Sequence, residues 1–172
     1  MKRRLVHAFF LWAILALPAM AQDMPTEQSV RAAMVFNFLK FAELPSEGVA
    51  NDPRIKLCVA VGDPRQAEAL ATLSGRKVRG RELVVVRFAG RDDDCQVLYV
   101  DTRQRWNAAE EQSAFRYTLT ISAYPGFARG GGMIEIALQE DGTRFDINLA
   151  EGRRAGIRFS PQLLRLARQV YE

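Results

Sequence analysis

The sequence predicts an α/β fold: a single domain with a mostly parallel central sheet flanked by helices and a C-terminal antiparallel hairpin. Three observations carry that prediction. Short apolar runs alternate with helical segments through the first two-thirds of the chain, the order a parallel sheet requires. The run Ile55–Val61 (IKLCVAV) is apolar almost throughout, as a central strand covered on both faces should be. The stretch Met133–Leu149 (MIEIALQEDGTRFDINL) alternates apolar and polar residues around Asp141-Gly142, a pair suited to the two central positions of a hairpin turn.

The first residues stand apart from that domain. Lys2, Arg3 and Arg4 precede the apolar run Leu5–Leu17, and Ala19-Met20-Ala21 offers small residues at a cleavage site. Residues 1–21 therefore read as a secretory signal peptide, cut after Ala21. The run falls short of the roughly 20 apolar residues of a membrane span, although an uncleaved anchor is the alternative. Residues 22–172 are then one exported domain, large enough to bury about two-thirds of its unfolded surface. Three of the 24 basic side chains leave with the signal, so 21 face 20 acidic ones, a net charge of +1. The basic pI of 9.4 thus belongs mostly to the discarded segment, and nothing points to nucleic acid.

Taken in order, Thr26–Glu43 reads as a helix opened by Pro25-Thr26 and stopped at Leu44-Pro45. Val30, Ala33, Met34, Phe38 and Phe41 recur at helical spacing, and Val35, Phe36 and Leu39 widen the apolar surface. After the strand Ile55–Val61, the turn Gly62-Asp63-Pro64 leads into a short helix over Arg65–Leu73, with Asp63 as cap and Gly75 beyond its end. Strands follow at Leu83–Phe88, Gln96–Val100 and Thr118–Ser122, with a turn at Arg91–Asp94 and a helix over Arg105–Ala114. Ser160-Pro161 is a good N-cap and first-turn pair. It should open a closing helix whose inward face is Leu163, Leu164, Ala167, Val170 and Tyr171, with Arg165 and Arg168 facing water.

The hairpin's register can be read directly. A turn at Asp141-Gly142 sets Leu138 against Phe145, Ile136 against Ile147 and Ile134 against Leu149. Its other face would set Gln139 against Arg144, Ala137 against Asp146 and Glu135 against Asn148. A slip of one residue would send the apolar set to the wrong side. The charged face, Glu135, Asp146 and Asn148, with Arg153, Arg154 and Arg158 just beyond, is the expected surface for a partner or ligand. The bland alternative is a solvated edge whose salt bridges contribute little.

The chemistry the chain can perform is narrowed by what the exported part lacks. Its one histidine, His7, lies in the signal, so neither a Ser-His-Asp nor a Cys-His arrangement can be built, and no catalytic residue is expected. No cofactor is expected either, nor a metal site from two cysteines without histidine. Glu110-Glu111 and Asp92-Asp93-Asp94 are the densest carboxylates, but they fall where solvated helix and turn surfaces are expected. Gly130-Gly131-Gly132 reads as a turn feeding the hairpin rather than an anion-binding nest. Cys58 and Cys95 form an even pair, which in an oxidising compartment favours a disulfide; two buried thiols are the alternative.

The segments VRAAMVFNFLKFAELP, IKLCVAVGD, DCQVLYV and, above all, PGFARGGGMIEIALQEDGTRFDINLAEGRRAGIRFSPQLLRLAR resemble the YfiR family, in order and across nearly the whole exported chain. Leu44 departs from the tryptophan that often precedes the proline in that family. The resemblance implies a periplasmic regulator rather than an enzyme. It implies binding to the periplasmic region of an inner-membrane sensor, a diguanylate cyclase foremost, with inhibition that lowers cyclic di-GMP and limits biofilm. It also implies that Cys58 and Cys95 match a redox-sensitive disulfide; a second pair found in some members is missing. A small-molecule effector acting on another membrane sensor is the competing reading, and a homodimer stays open.

Overall fold

The computed structural model describes residues 25–45, 52–90, 94–112, 116–139 and 142–172, without the side chains of residues 108 and 110–112. Residues 1–21, the expected signal, and the Asp141 turn position therefore lie outside the described residues. In chain order the elements are α1 (Glu27–Phe41), β1 (Ala42–Glu43), β2 (Arg54–Ala60), α2 (Pro64–Ala71), β3 (Lys77–Val78), β4 (Arg81–Arg87), β5 (Val97–Val100), α3 (Arg103–Gln112), β6 (Leu119–Ser122), β7 (Ile134–Gln139), β8 (Gly142–Asn148), α4 (Leu149–Arg154), β9 (Arg158–Phe159), α5 (Pro161–Leu166) and β10 (Gln169–Tyr171).

Eight strands form the main sheet in the order β10-β8-β7-β6-β5-β2-β4-β3. β4, β2, β5, β6 and β7 run parallel, β8 returns antiparallel to β7, and β10 lies parallel to β8. The expected mostly parallel sheet with an antiparallel hairpin is therefore present, and β2 is central as its apolar run requires. Two local devices escaped the sequence reading. β1 pairs with β9 in a separate two-stranded ribbon, and β3 folds back on β4 through Arg79-Gly80.

The sheet's two faces differ in chemistry. One carries Leu57, Val59, Val97, Tyr99, Leu119, Ile121, Ile134, Ile136, Phe145 and Ile147, all buried in one core with α1, Leu70 of α2 and Leu163 of α5. Each such side chain contributes roughly 1.5–3 kcal/mol by leaving water. Phe38 of α1 meets Phe145 edge-on at 5.0 Å, fastening the helix to the hairpin. The opposite face is apolar only in its middle, where Cys58, Leu98 and Val100 pack with Trp106, Ala109 and Phe127. There Cys58 of β2 is bridged to Cys95, just before β5, with Cα atoms 5.7 Å apart. Towards the hairpin that same face turns polar.

Several details correct the sequence reading. The buried face of α1 is Ala32, Val35, Phe38 and Leu39, whereas Ala33 and Asn37 are exposed. The helix is apolar nearly all round, so its spacing could not select the inward face. The hairpin pairs Ile134 with Ile147, Ile136 with Phe145, Leu138 with Thr143 and Gln139 with Gly142, two residues from the expected register. Gly142 belongs to the strand at φ +130° instead of the turn. Because strand side chains alternate, a shift of two leaves every residue on its expected face.

The closing helix is also shorter than expected. It stops at Leu166, and Ala167 is already extended. The Arg168 amide donates to the Phe145 carbonyl at 2.8 Å, so Val170 and Tyr171 continue as strand β10 beside β8. Tertiary pairing overrides the helical spacing here, and the hairpin is not the sheet's edge.

Candidate functional site

The expected docking residues separate into two environments. Glu135, Asp146 and Asn148 are 7%, 3% and 9% exposed, which removes them from the surface. Segment 123–132 supplies backbone partners to Glu135 and Asn148, while Asp146 pairs with Arg168. Glu135 accepts the Gly126 amide with one oxygen and the Ala128 amide with the other, each at 3.1 Å. Asn148 donates to the Ala128 carbonyl at 2.7 Å, and its side-chain oxygen caps α4 by accepting the Glu151 amide at 3.0 Å. Asp146 takes a two-pronged pair of bonds from Arg168, Nε at 2.8 Å and Nη2 at 2.7 Å. That bond holds the Arg168 guanidinium above its usual pKa. The expectation of a charged docking face is corrected: Glu135 and Asn148 bond to backbone groups and Asp146 to Arg168, because buried polar atoms need partners. Arg168, expected to face water freely, belongs to the same network.

The glycine run explains how segment 123–132 fits so closely. A Cβ on Gly132 would lie 2.2 Å from the Phe127 ring. The Gly130 and Gly132 amides donate to carbonyls of Gly126 and Phe127, so they form a turn, as expected.

Arg153, Arg154 and Arg158 are exposed. Arg154 pairs with Glu151 at 2.7 Å within α4. Arg158 belongs to a site the sequence reading missed. The β1–β9 ribbon sets Glu43 beside Arg158, whose Nε donates to one carboxylate oxygen at 3.0 Å. The other oxygen accepts from Arg79 Nη1 at 3.3 Å. Arg79, at φ +51°, is the one non-glycine residue in the left-handed region among the described residues, and Gly80 follows at φ +81°. Positive φ at both central positions suits a two-residue hairpin between β3 and β4 and aims Arg79 at Glu43. The signal was legible as Arg79-Gly80 between KV and RELVVV.

Around that ion triad is an open cleft of about 420 Å³ lined by Leu39, Ala42, Leu44, Ile55 and Val78, with Arg79, Arg81, Arg158 and Glu43 at its polar rim. Hydrogen bonds from Arg79 and then Arg158 hold the Glu43 carboxyl below its ordinary pKa. Three guanidiniums face one carboxylate, so the rim has an excess of positive charge.

The other feature singled out by sequence, the Gly62-Asp63-Pro64 turn, sits at the carboxyl end of β2, where the chain leaves in opposite directions along the sheet. Such switch points often hold ligands. Here Asp101 accepts the Gly62 amide at 2.6 Å and pairs with Arg105 at 3.3 Å, and a cleft of about 370 Å³ opens beside the turn between Val61, Pro64, Ala67 and Val85. Asp63 caps α2 as expected by accepting the Arg65 amide at 2.9 Å. Among the described residues no group of three or more His, Cys, Asp or Glu side chains could hold a metal. Asp94 is exposed, while Asp92, Asp93 and the Glu110 and Glu111 side chains lie outside the described residues.

Comparison with known proteins adds the context. The family model described as YfiR/HmsC-like matches residues 28–168. No curated protein matches the chain. Among solved structures the chain is similar to a conserved domain protein from Vibrio cholerae, at 14% identity and a TM-score of 0.48. The match covers 84% of this chain and 60% of that one.

Proposed function

The chain belongs to the YfiR/HmsC-like family, and from that premise we propose that it binds and restrains the periplasmic sensor region of an inner-membrane diguanylate cyclase. At the level of the family, a periplasmic regulatory role in cyclic di-GMP signalling is supported, and its members are regulators rather than enzymes. The observation that carries the finer reading is the match over residues 28–168, which takes in almost the whole exported domain. The Cys58–Cys95 bridge fits an oxidising compartment, consistent with removal of residues 1–21 during export.

As a regulator, the domain would bind one state of its sensor more tightly than the other, since equal binding shifts nothing. The exposed arginines Arg153, Arg154 and Arg158 are its docking side chains; Asn148 caps the helix that carries the first two, while Glu135 and Asp146 are buried fasteners. Deleting the gene should raise cellular cyclic di-GMP, and residues 22–172 should capture the periplasmic region of the cognate cyclase. Unchanged cyclic di-GMP on deletion would overturn this reading.

A second reading, a small-molecule module acting on another membrane sensor, is favoured by the cleft of about 420 Å³, within the roughly 300–1,000 Å³ range of ligand pockets. A thermal-shift screen separates the two, because a ligand at 100 times its dissociation constant adds about 2.7 kcal/mol.

A further inference from the structure

We propose that the cleft beside Glu43 recognises an acidic side chain of the partner protein next to an apolar one, with Glu43 acting as an internal stand-in for that acid. The proposal rests on the regulatory reading for the partner's identity. Its chemistry comes from the cleft alone.

Glu43 already shows what the rim accepts. A carboxylate lies between two guanidiniums, with Arg158 on one oxygen at 2.9–3.0 Å and Arg79 on the other at 3.3 Å. These contacts are open to water: the Glu43 side chain is 44% exposed, Arg79 48% and Arg158 82%. Water-exposed ion pairs exchange readily because each contributes little. Arg81 donates one N–H to the Arg54 carbonyl, leaving most of its five donors for the rim. An incoming carboxylate therefore displaces Glu43 from the arginines.

The floor argues for a protein side chain over a bare anion. Half-buried Leu44, over the nearly buried Leu39, Ala42, Ile55 and Val78, gives a small apolar floor next to the cationic rim. A phosphate would leave that floor unused, whereas a leucine beside a glutamate would fill both halves. The ribbon of β1 and β9 keeps Glu43 and Arg158 in register, and the strained Arg79 turn supplies the second arm. The rim is thus held ready before a partner arrives.

The test titrates N-acetyl-Leu-Glu-amide into the native chain and Glu43→Gln, following the arginine side-chain Nε–H signals by NMR. Arg79→Ala and Arg158→Ala assign those signals by their disappearance. The expected result is a shift of the Arg79 and Arg158 signals by the dipeptide, with N-acetyl-Leu-Gln-amide inert. Half-saturation should fall at least 5-fold in Glu43→Gln, where the internal competitor has lost its charge. Silence of both signals in Glu43→Gln, an unchanged midpoint, or equal effect from inorganic phosphate would overturn the proposal. A parallel arm measures the cyclase's periplasmic region against native protein and Arg158→Glu, with at least 10-fold weakening expected. Native protein that binds no such region counts against the regulatory reading, while the dipeptide titration still decides the cleft.

Discussion

Glu135 and Glu43 each accept two donors, one on each carboxylate oxygen, yet they do opposite work. The donors to Glu135 are backbone amides of Gly126 and Ala128, and the side chain is shut away from water. Those to Glu43 are the guanidiniums of Arg79 and Arg158, about half and mostly exposed. A buried backbone amide has no alternative partner, so Glu135 is bound to its role as a fastener for segment 123–132. A solvated guanidinium can exchange one carboxylate for another. The kind of donor and the access of water separate the structural acid from the exchangeable one.

The largest test of that contrast is Glu135→Arg, a change that an exposed docking face would tolerate. In this fold it orphans the buried Ala128 amide, at about 1–3 kcal/mol, and the half-buried Gly126 amide, and adds an unpaired buried charge. The sum approaches the whole stability of an ordinary domain, about 5–15 kcal/mol. The variant should fail to give a cooperative urea transition, and a native-like midpoint would return Glu135 to the surface.

Next in size is the covalent fastener on the same sheet face. Cys58 and Cys95 close a loop of 37 residues, which stabilises the fold by about 4 kcal/mol on the chain-entropy estimate. Replacing both by alanine, or reducing the native chain, should lower the melting temperature clearly. The cleft lies among residues of the other core face, so the dipeptide response there should survive in whatever fraction remains folded. Equal melting with and without reductant would count against a stabilising bridge.

The fold class was legible because it depends on patterns along the chain: apolar β2, the alternating hairpin, and the caps Asp63 and Ser160. The faces of Glu135, Asp146 and Asn148 were also assigned correctly relative to Ile134, Ile136 and Ile147. What alternation cannot reveal is whether a polar face meets water or another part of the chain. Segment 123–132 decides that, and its contacts with Glu135 and Asn148 are tertiary. The same limit applies to Arg168, which reads as a surface residue of a helix until strand β10 brings it to Asp146. Glu43 and Arg158 are 115 positions apart, so only the β1–β9 ribbon makes them neighbours. The Arg79-Gly80 turn, by contrast, was a local signal that could have been read.

The smallest expected effect lies at the exchangeable carboxylate and is seen by titrating acid. Hydrogen bonds from Arg79, then Arg158, depress the Glu43 pKa from its ordinary value of 4.5. A depressed carboxylate stabilises the fold at pH above its unfolded value, and that contribution disappears as pH falls through the folded value. Native protein should therefore exceed Glu43→Gln in stability by a small margin at pH 6, with the margin shrinking below about pH 4.5. Comparing urea midpoints of the two proteins at each pH cancels the other titrating groups to first order. The margin should be small because both arginines and Glu43 are open to water, and added salt should reduce it further. A large margin independent of pH and salt would mean that Glu43 is held for the fold as firmly as Glu135, and the cleft would then have no carboxylate to exchange.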